Sequence, residues 1–100
     1  YLKQFDKAVI TIRPMGHEGI TPSLEDTLCA EFLKSLIEGN NPSRDLLMKE
    51  LKEGAGKYFF QQDQWQYPED DFNKCLEFNR FNFVMEARIH GDYASLHQLK

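Results

Sequence analysis

A helix with a clearly marked start and end is the sequence feature that most constrains this fold. The stretch SLEDTLCAEFLKSLIEG begins at Ser23, a favourable N-cap residue, and ends at Gly39, a favourable helix stop. A chain of 100 residues buries roughly two-thirds of its unfolded surface, which is enough for one core. The pattern therefore predicts one amphipathic helix that packs on that core, with its apolar side chains recurring at helical spacing: Leu24, Leu28, Phe32, Leu33, Leu36 and Ile37.

Two further helices are predicted downstream. Asn41-Pro42-Ser43 is a start signal, and the helix after it should end near Gly54. Pro68 suits the first position of a third helix. The acids at 69–71 would lie in its first turn and complement the positive end of the helix dipole. The predicted apolar face of this third helix consists of Phe72, Cys75, Leu76 and Phe78.

Strand signals lie at both ends of the chain. AVITIR at 8–13 is a β-branched run that ends at Pro14, which predicts a strand. FVMEARI at 83–89 alternates along its length, Gly91 and Asp92 suit a turn, and YASLH returns, which predicts a hairpin. The elements together predict an α/β fold: a small sheet with flanking helices and a C-terminal β-hairpin.

Composition excludes several classes of function. The formal net charge is −4 and the 12 basic residues are scattered, which argues against general nucleic-acid binding. No apolar run approaches the roughly 20 residues of a membrane span, so we expect a cytoplasmic protein with no membrane partner. Cys29 and Cys75 lack the close spacing of a zinc site, and we expect both to be reduced core residues.

The loop from Pro14 to Ser23 is the strongest candidate site. A loop that leads from a strand into a helix leaves unpaired backbone N–H groups at the helix start, and these attract phosphate or carboxylate. Gly16 and Gly19 would let the backbone approach such a ligand closely. The Lys-Ser or Lys-Thr pair of a P-loop is missing, so an ordinary helix start remains the alternative.

Glu25 and Asp26 are the candidate metal ligands. Mg²⁺ prefers such hard oxygen ligands, and a bound ion would polarise a phosphoryl group for attack by water. The alternative is that both acids merely complement the helix dipole. Neighbouring helical residues point about 100° apart, so the two need not share a role.

Other polar and aromatic side chains have two interpretations each. Arg13 follows the predicted strand and would either clamp an anionic oxygen or form a surface ion pair. His17 would act as an acid or base, or face solvent. The aromatic residues between 58 and 67 would either stack on nucleic-acid bases or anchor a loop or an interface, and the lack of a basic groove favours the second role. These residues are Tyr58, Phe59, Phe60, Trp65 and Tyr67.

Two ordered sequence blocks resemble the second half of the 2-phosphosulfolactate phosphatase family. The first is S-L-E-D-x-x-C-A at 23–30, which follows the predicted strand and glycine loop. The second is DDFNKCLEFNRFNFVMEA at 70–87, with an acidic start, a cysteine-bearing helix and a final strand. The resemblance implies a Mg²⁺-dependent phosphatase that hydrolyses a small phosphate monoester such as 2-phosphosulfolactate, a step of coenzyme M biosynthesis in some archaea.

The resemblance also implies roles for individual residues. It places the family's loop on Gly16 and Gly19 and its acidic pair on Glu25 and Asp26. With the loop argument above, the predicted substrate-binding residues are Arg13, Gly16, Gly19 and Ser23, and the predicted catalytic and metal residues are Glu25 and Asp26.

Partners and an alternative function complete the predictions. The resemblance implies that the chain forms one half of a larger α/β protein, with the family's N-terminal half outside these 100 residues. We therefore expect that half and a small phosphorylated acid as partners, with homo-oligomer formation as a further option. The alternative is a non-catalytic α/β domain for assembly or small-anion binding. A nucleic-acid module is the third and least supported interpretation.

Overall fold

Three helices followed by an antiparallel hairpin make up the α/β fold, as predicted. The computed structural model describes residues 1–54, 56, 60 and 68–100. A 3₁₀ turn precedes the five main elements: α1 (Leu24–Ile37), α2 (Arg44–Glu53), α3 (Glu69–Cys75), β1 (Val84–His90) and β2 (Tyr93–Leu99). Within these described ranges, no helix is long and apolar enough to cross a membrane.

The ends of the helices largely match their sequence signals. The helix α1 ends where Gly39 adopts a left-handed φ of +86° and donates its N–H to the carbonyl of Leu36. The Ser43 hydroxyl caps α2 by accepting a 3.1 Å hydrogen bond from the Leu46 N–H. The helix α3 begins one residue later than predicted, because Pro68 has an extended ψ of 138° and serves as the N-cap.

One small core joins the three helices. Its buried residues are Phe32 of α1, Leu47 and Leu51 of α2, and Phe72 of α3. The Phe72 ring meets the Phe60 ring edge-on with centroids 5.1 Å apart. Of the aromatic anchors predicted around 58–67, only Phe60 lies within the described residues; Tyr58, Phe59, Trp65 and Tyr67 lie outside them.

The prediction that both cysteines are core residues is wrong. Cys29 and Cys75 are free thiols and are exposed. Each lies three residues from a phenylalanine on the same helix, Phe32 in α1 and Phe72 in α3, and it is the phenylalanine that fills the core. The apolar periodicity gave the correct helices but did not distinguish the buried part of each stripe from its edge.

The predicted strand at 8–13 is also wrong. These residues adopt no regular structure, and Val9 is 95% exposed. A strand needs a neighbour to pair its backbone N–H and C=O groups. Because β1 and β2 pair with each other, the run at 8–13 has no strand partner among the described residues.

The C-terminal hairpin is confirmed. Its register runs from Val84 opposite Leu99 to His90 opposite Tyr93, and Gly91 turns the chain with φ +74°. Alternate residues point to the same side of a sheet, so one face of the hairpin is almost entirely apolar. This face is exposed, has Gln98 as its one polar residue, and otherwise consists of Met85, Ala87, Ile89, Ala94 and Leu96.

Candidate functional site: the glycine loop, the first turn of α1 and the adjacent cleft

The loop from Pro14 to Ser23, called the glycine loop below, contains a tight turn closed by two backbone hydrogen bonds. The His17 N–H donates to the Thr21 carbonyl at 2.7 Å, and the Thr21 N–H donates back to the His17 carbonyl at 3.1 Å. Gly16, Glu18 and Gly19 have φ of +73°, +54° and +69°. Left-handed conformations of this kind are most accessible to glycine, which accounts for the two glycines in this short stretch.

A hydrogen bond joins the loop to the first turn of α1. The Gly16 N–H donates to Oδ2 of Asp26 across 2.7 Å in a partly buried position. A Cβ at residue 16 would lie 2.4 Å from the Thr21 carbonyl oxygen, so the close approach requires glycine. The structure thus brings together two of the predicted site residues, and Asp26 holds the loop against the helix.

Ser23 occupies the N-cap position of α1, but its side chain does not cap the helix. Its backbone is extended (φ −116°, ψ 143°), and its hydroxyl makes no cap hydrogen bond. The Oγ atom is buried and has no hydrogen-bond partner among the described residues. The prediction of a capping serine is therefore correct in position and wrong in bonding, and its predicted substrate contact remains a prediction.

Glu25 and Asp26 contact different parts of the molecule. Asp26 bonds to the loop, whereas Glu25 lines a cleft between the helices. In the part of the chain that the structure describes, no group of three His, Cys, Asp or Glu side chains is placed to hold a metal ion. Mg²⁺ commonly uses one or two carboxylates with waters and substrate phosphate. Asp26 has a second carboxylate oxygen besides the one that accepts from Gly16, and its role as a Mg²⁺ ligand, alone or with Glu25, stays a prediction.

The other predicted loop residues lie at the surface. Arg13 and Gly19 are exposed, and the side chain of Arg13 forms no ion pair with any described residue. The His17 imidazole is 4.0 Å from the Glu18 carboxylate, with both side chains largely exposed. These positions are accessible to a ligand, and the roles of Arg13 and Gly19 in binding remain predictions.

A concave feature that the sequence did not predict lies between α1, α2 and α3. We call it the helical cleft; its volume is about 480 Å³. Phe32, Leu36, Leu51 and Phe72 are among the apolar residues that line it, and the two cysteines line it as well. The sequence signal was the apolar stripe of each helix, but only tertiary packing reveals that the stripes leave a gap between them.

Comparison of the chain with protein-family models, curated proteins and solved structures found no match. The family resemblance stays a prediction. The functional interpretation therefore depends on two local features: the loop bonded to Asp26 and the helical cleft.

Proposed function

We propose that this chain is part of a Mg²⁺-dependent phosphatase in which the glycine loop and the first turn of α1 bind the phosphate group. The observation that carries the proposal is the 2.7 Å contact between the Gly16 N–H and the Asp26 carboxylate at the start of α1. Gly16 and Asp26, which were both predicted for one site from the sequence, are adjacent at the start of α1. The sequence resemblance supports the same role.

The start of α1 is chemically suited to an anion. Helix N-termini carry partial positive charge and unpaired N–H donors, and the Gly16 N–H is already directed at a negatively charged oxygen. A phosphoryl oxygen would be attracted by the unpaired N–H groups of the first turn of α1, since the Gly16 N–H is used by Asp26. A Mg²⁺ ion at Asp26, when bound, would neutralise the charge between carboxylate and phosphate and polarise the phosphorus.

The reaction is hydrolysis of a phosphate monoester. The oxygen of a water forms a bond to phosphorus, and the bond from phosphorus to the ester oxygen breaks. One proton of that water passes to the departing alkoxide, so the products are the alcohol of the organic acid and inorganic phosphate. The role of Asp26 in this proposal is to position the ion and to hold the loop through the Gly16 N–H, and the unpaired N–H groups of the first turn of α1 would bind the anion.

The test is Mg²⁺-dependent phosphate release from 2-phosphosulfolactate. It is measured for this chain and for the longest natural polypeptide that contains it. Asp26→Asn should lower kcat by about a hundredfold or more, as loss of a charge-stabilising group in an active site typically does. Asp70→Asn, an equal change of charge at the start of α3, is the control. Undiminished turnover in Asp26→Asn would exclude the metal role.

A second candidate is a non-catalytic α/β domain that binds a ligand. It is favoured by the helical cleft, and by the bond to Gly16, which already gives Asp26 a structural task. In this case Asp26→Asn lowers the unfolding temperature without any activity to lose. Calorimetric titration with Mg²⁺ and inorganic phosphate separates the candidates, because binding without turnover in the natural polypeptide supports the second.

A further inference from the structure

The helical cleft has the size and lining of a small-molecule site. All three helices supply apolar surface to it: Phe32 and Leu36 from α1, Leu47 and Leu51 from α2, and Phe72 from α3. Pockets for small organic ligands typically measure about 300–1,000 Å³ and have mostly apolar walls. The helical cleft, at about 480 Å³, falls within that range.

Among the described residues that line the cleft, the charged ones are all acidic. Glu25 of α1 and Asp71 of α3 line it and are exposed, so their carboxylates lie where the cleft meets solvent. Neither carboxylate has a hydrogen bond or ion pair with another described residue. A third acid, Glu77, is neutralised by Arg80 at 2.7 Å. None of the described lining residues is basic.

A nearby arginine, which does not itself line the cleft, is engaged by an aromatic ring that does. The guanidinium of Arg44 lies over the ring of Phe78, with its central carbon 4.6 Å from the ring centroid. It is therefore directed at an aromatic face, where a cation–π contact stabilises it. Among the described residues, the carboxylates of Glu25 and Asp71 thus have no hydrogen-bonded or ion-paired partner, and both line the apolar cleft.

We propose that the helical cleft binds a small apolar molecule that carries a positively charged amine. The apolar part would occupy the space between the aromatic and leucine side chains, and the ammonium group would lie between Glu25 and Asp71. An anionic ligand of the same shape would be repelled by both acids. This site is distinct from the glycine loop, since Asp26 contacts the loop and Glu25 faces the cleft.

The test compares three probes with the same eight-carbon chain at neutral pH: octylammonium, octanol and octanoate. Isothermal titration calorimetry gives their dissociation constants. Each exposed carboxylate should improve the binding of a cation by roughly threefold, so octylammonium should bind about tenfold more tightly than octanol. Octanoate should bind more weakly than either.

The two cysteines report where the probe binds. Cys29 and Cys75 are the only cysteines in the chain, both are exposed, and both line the cleft. Their rates of alkylation by uncharged N-ethylmaleimide, resolved by peptide mass spectrometry, should both fall when octylammonium saturates the site. Alkylation at unchanged rates would place any binding elsewhere and overturn the proposal.

Charge variants test the recognition of the amine. Glu25→Gln and Asp71→Asn should each reduce the preference for octylammonium over octanol by about threefold. Asp70→Asn is the matched control, because Asp70 is the preceding residue on α3 and does not line the cleft. Equal binding of octylammonium and octanoate, or an equal effect of Asp70→Asn and Asp71→Asn, would also overturn it. None of these outcomes bears on whether phosphate release depends on Asp26, so this proposal and the proposed phosphatase function can fail independently.

Discussion

Replacement of Gly16 by alanine should destabilise the protein much more than the same change at Gly19. Both glycines have a left-handed backbone, with φ +73° and +69°, so alanine carries the same conformational penalty of about 1–2 kcal/mol at each position. They differ in their surroundings. The added Cβ at Gly16 would lie 2.4 Å from the Thr21 carbonyl oxygen, whereas nothing lies within 4 Å of a Cβ at Gly19.

The clash at Gly16 cannot be relieved cheaply. The Thr21 carbonyl already accepts a 2.7 Å hydrogen bond from the His17 N–H, so moving it opens the turn. Opening the turn also strains the bond from the Gly16 N–H to Asp26. A neutral hydrogen bond contributes about 0.5–1.5 kcal/mol and one to a charged group about 1.5–3 kcal/mol. Gly16→Ala should therefore lower the free energy of unfolding by about 2–4 kcal/mol more than Gly19→Ala.

Urea denaturation followed by circular dichroism measures the difference directly. For a domain of this size, each 1 kcal/mol also lowers the unfolding temperature by about 4–8 °C, which gives an independent check. Hydrogen exchange should show that the amide of residue 16 is protected in the wild type and in Gly19→Ala but not in Gly16→Ala. Equal losses of stability in the two variants would refute the assignment of Gly16 as the closure point of the loop.

Four further substitutions have sharply different expected effects on stability. Ser43→Ala should lower the free energy of unfolding by about 1 kcal/mol because it removes the cap to the Leu46 N–H. Ser23→Ala should change it by close to nothing because that hydroxyl makes no hydrogen bond among the described residues. Urea denaturation compares the two variants, and equal losses would contradict the different roles of the two serines. Phe72→Ala should cost about 3–5 kcal/mol, since the ring is only 6% exposed, and a loss below 1 kcal/mol in the same assay would contradict its place in the core. Ile89→Thr should change the stability by less than about 0.5 kcal/mol, because Ile89 is 76% exposed, and a large shift in unfolding temperature would show that the hairpin face is covered in solution.

The elements that could be predicted from sequence are those fixed by local signals. The helix α1 has a continuous apolar stripe, α2 has a serine that caps it, and the hairpin has alternating residues around Gly91. In each case the residues that determine the structure are a few positions apart. The strand predicted at 8–13 failed because a strand depends on a distant partner, and its β-branched residues carry no information about whether one is available.

The candidate site was predictable in part for the same reason. Gly16 and Asp26 are only ten residues apart, and the sequence placed both at one helix start. It did not predict that the Asp26 carboxylate would take the Gly16 N–H while the Ser23 hydroxyl stayed unpaired. The helical cleft was missed, since it arises where residues from Glu25 to Asn79 converge on a space that no single helix defines.

The hairpin has a consequence for how this protein unfolds. A two-stranded ribbon is marginally stable in water on its own, and here its apolar side faces solvent while the buried apolar side chains of the described residues all belong to the helices. Protection from amide exchange should therefore fall into two classes, with β1 and β2 opening at low free energy while α1 and α2 remain closed. Denaturation curves recorded from the ribbon and from the helices should have separate midpoints, and a single transition would not describe the whole chain.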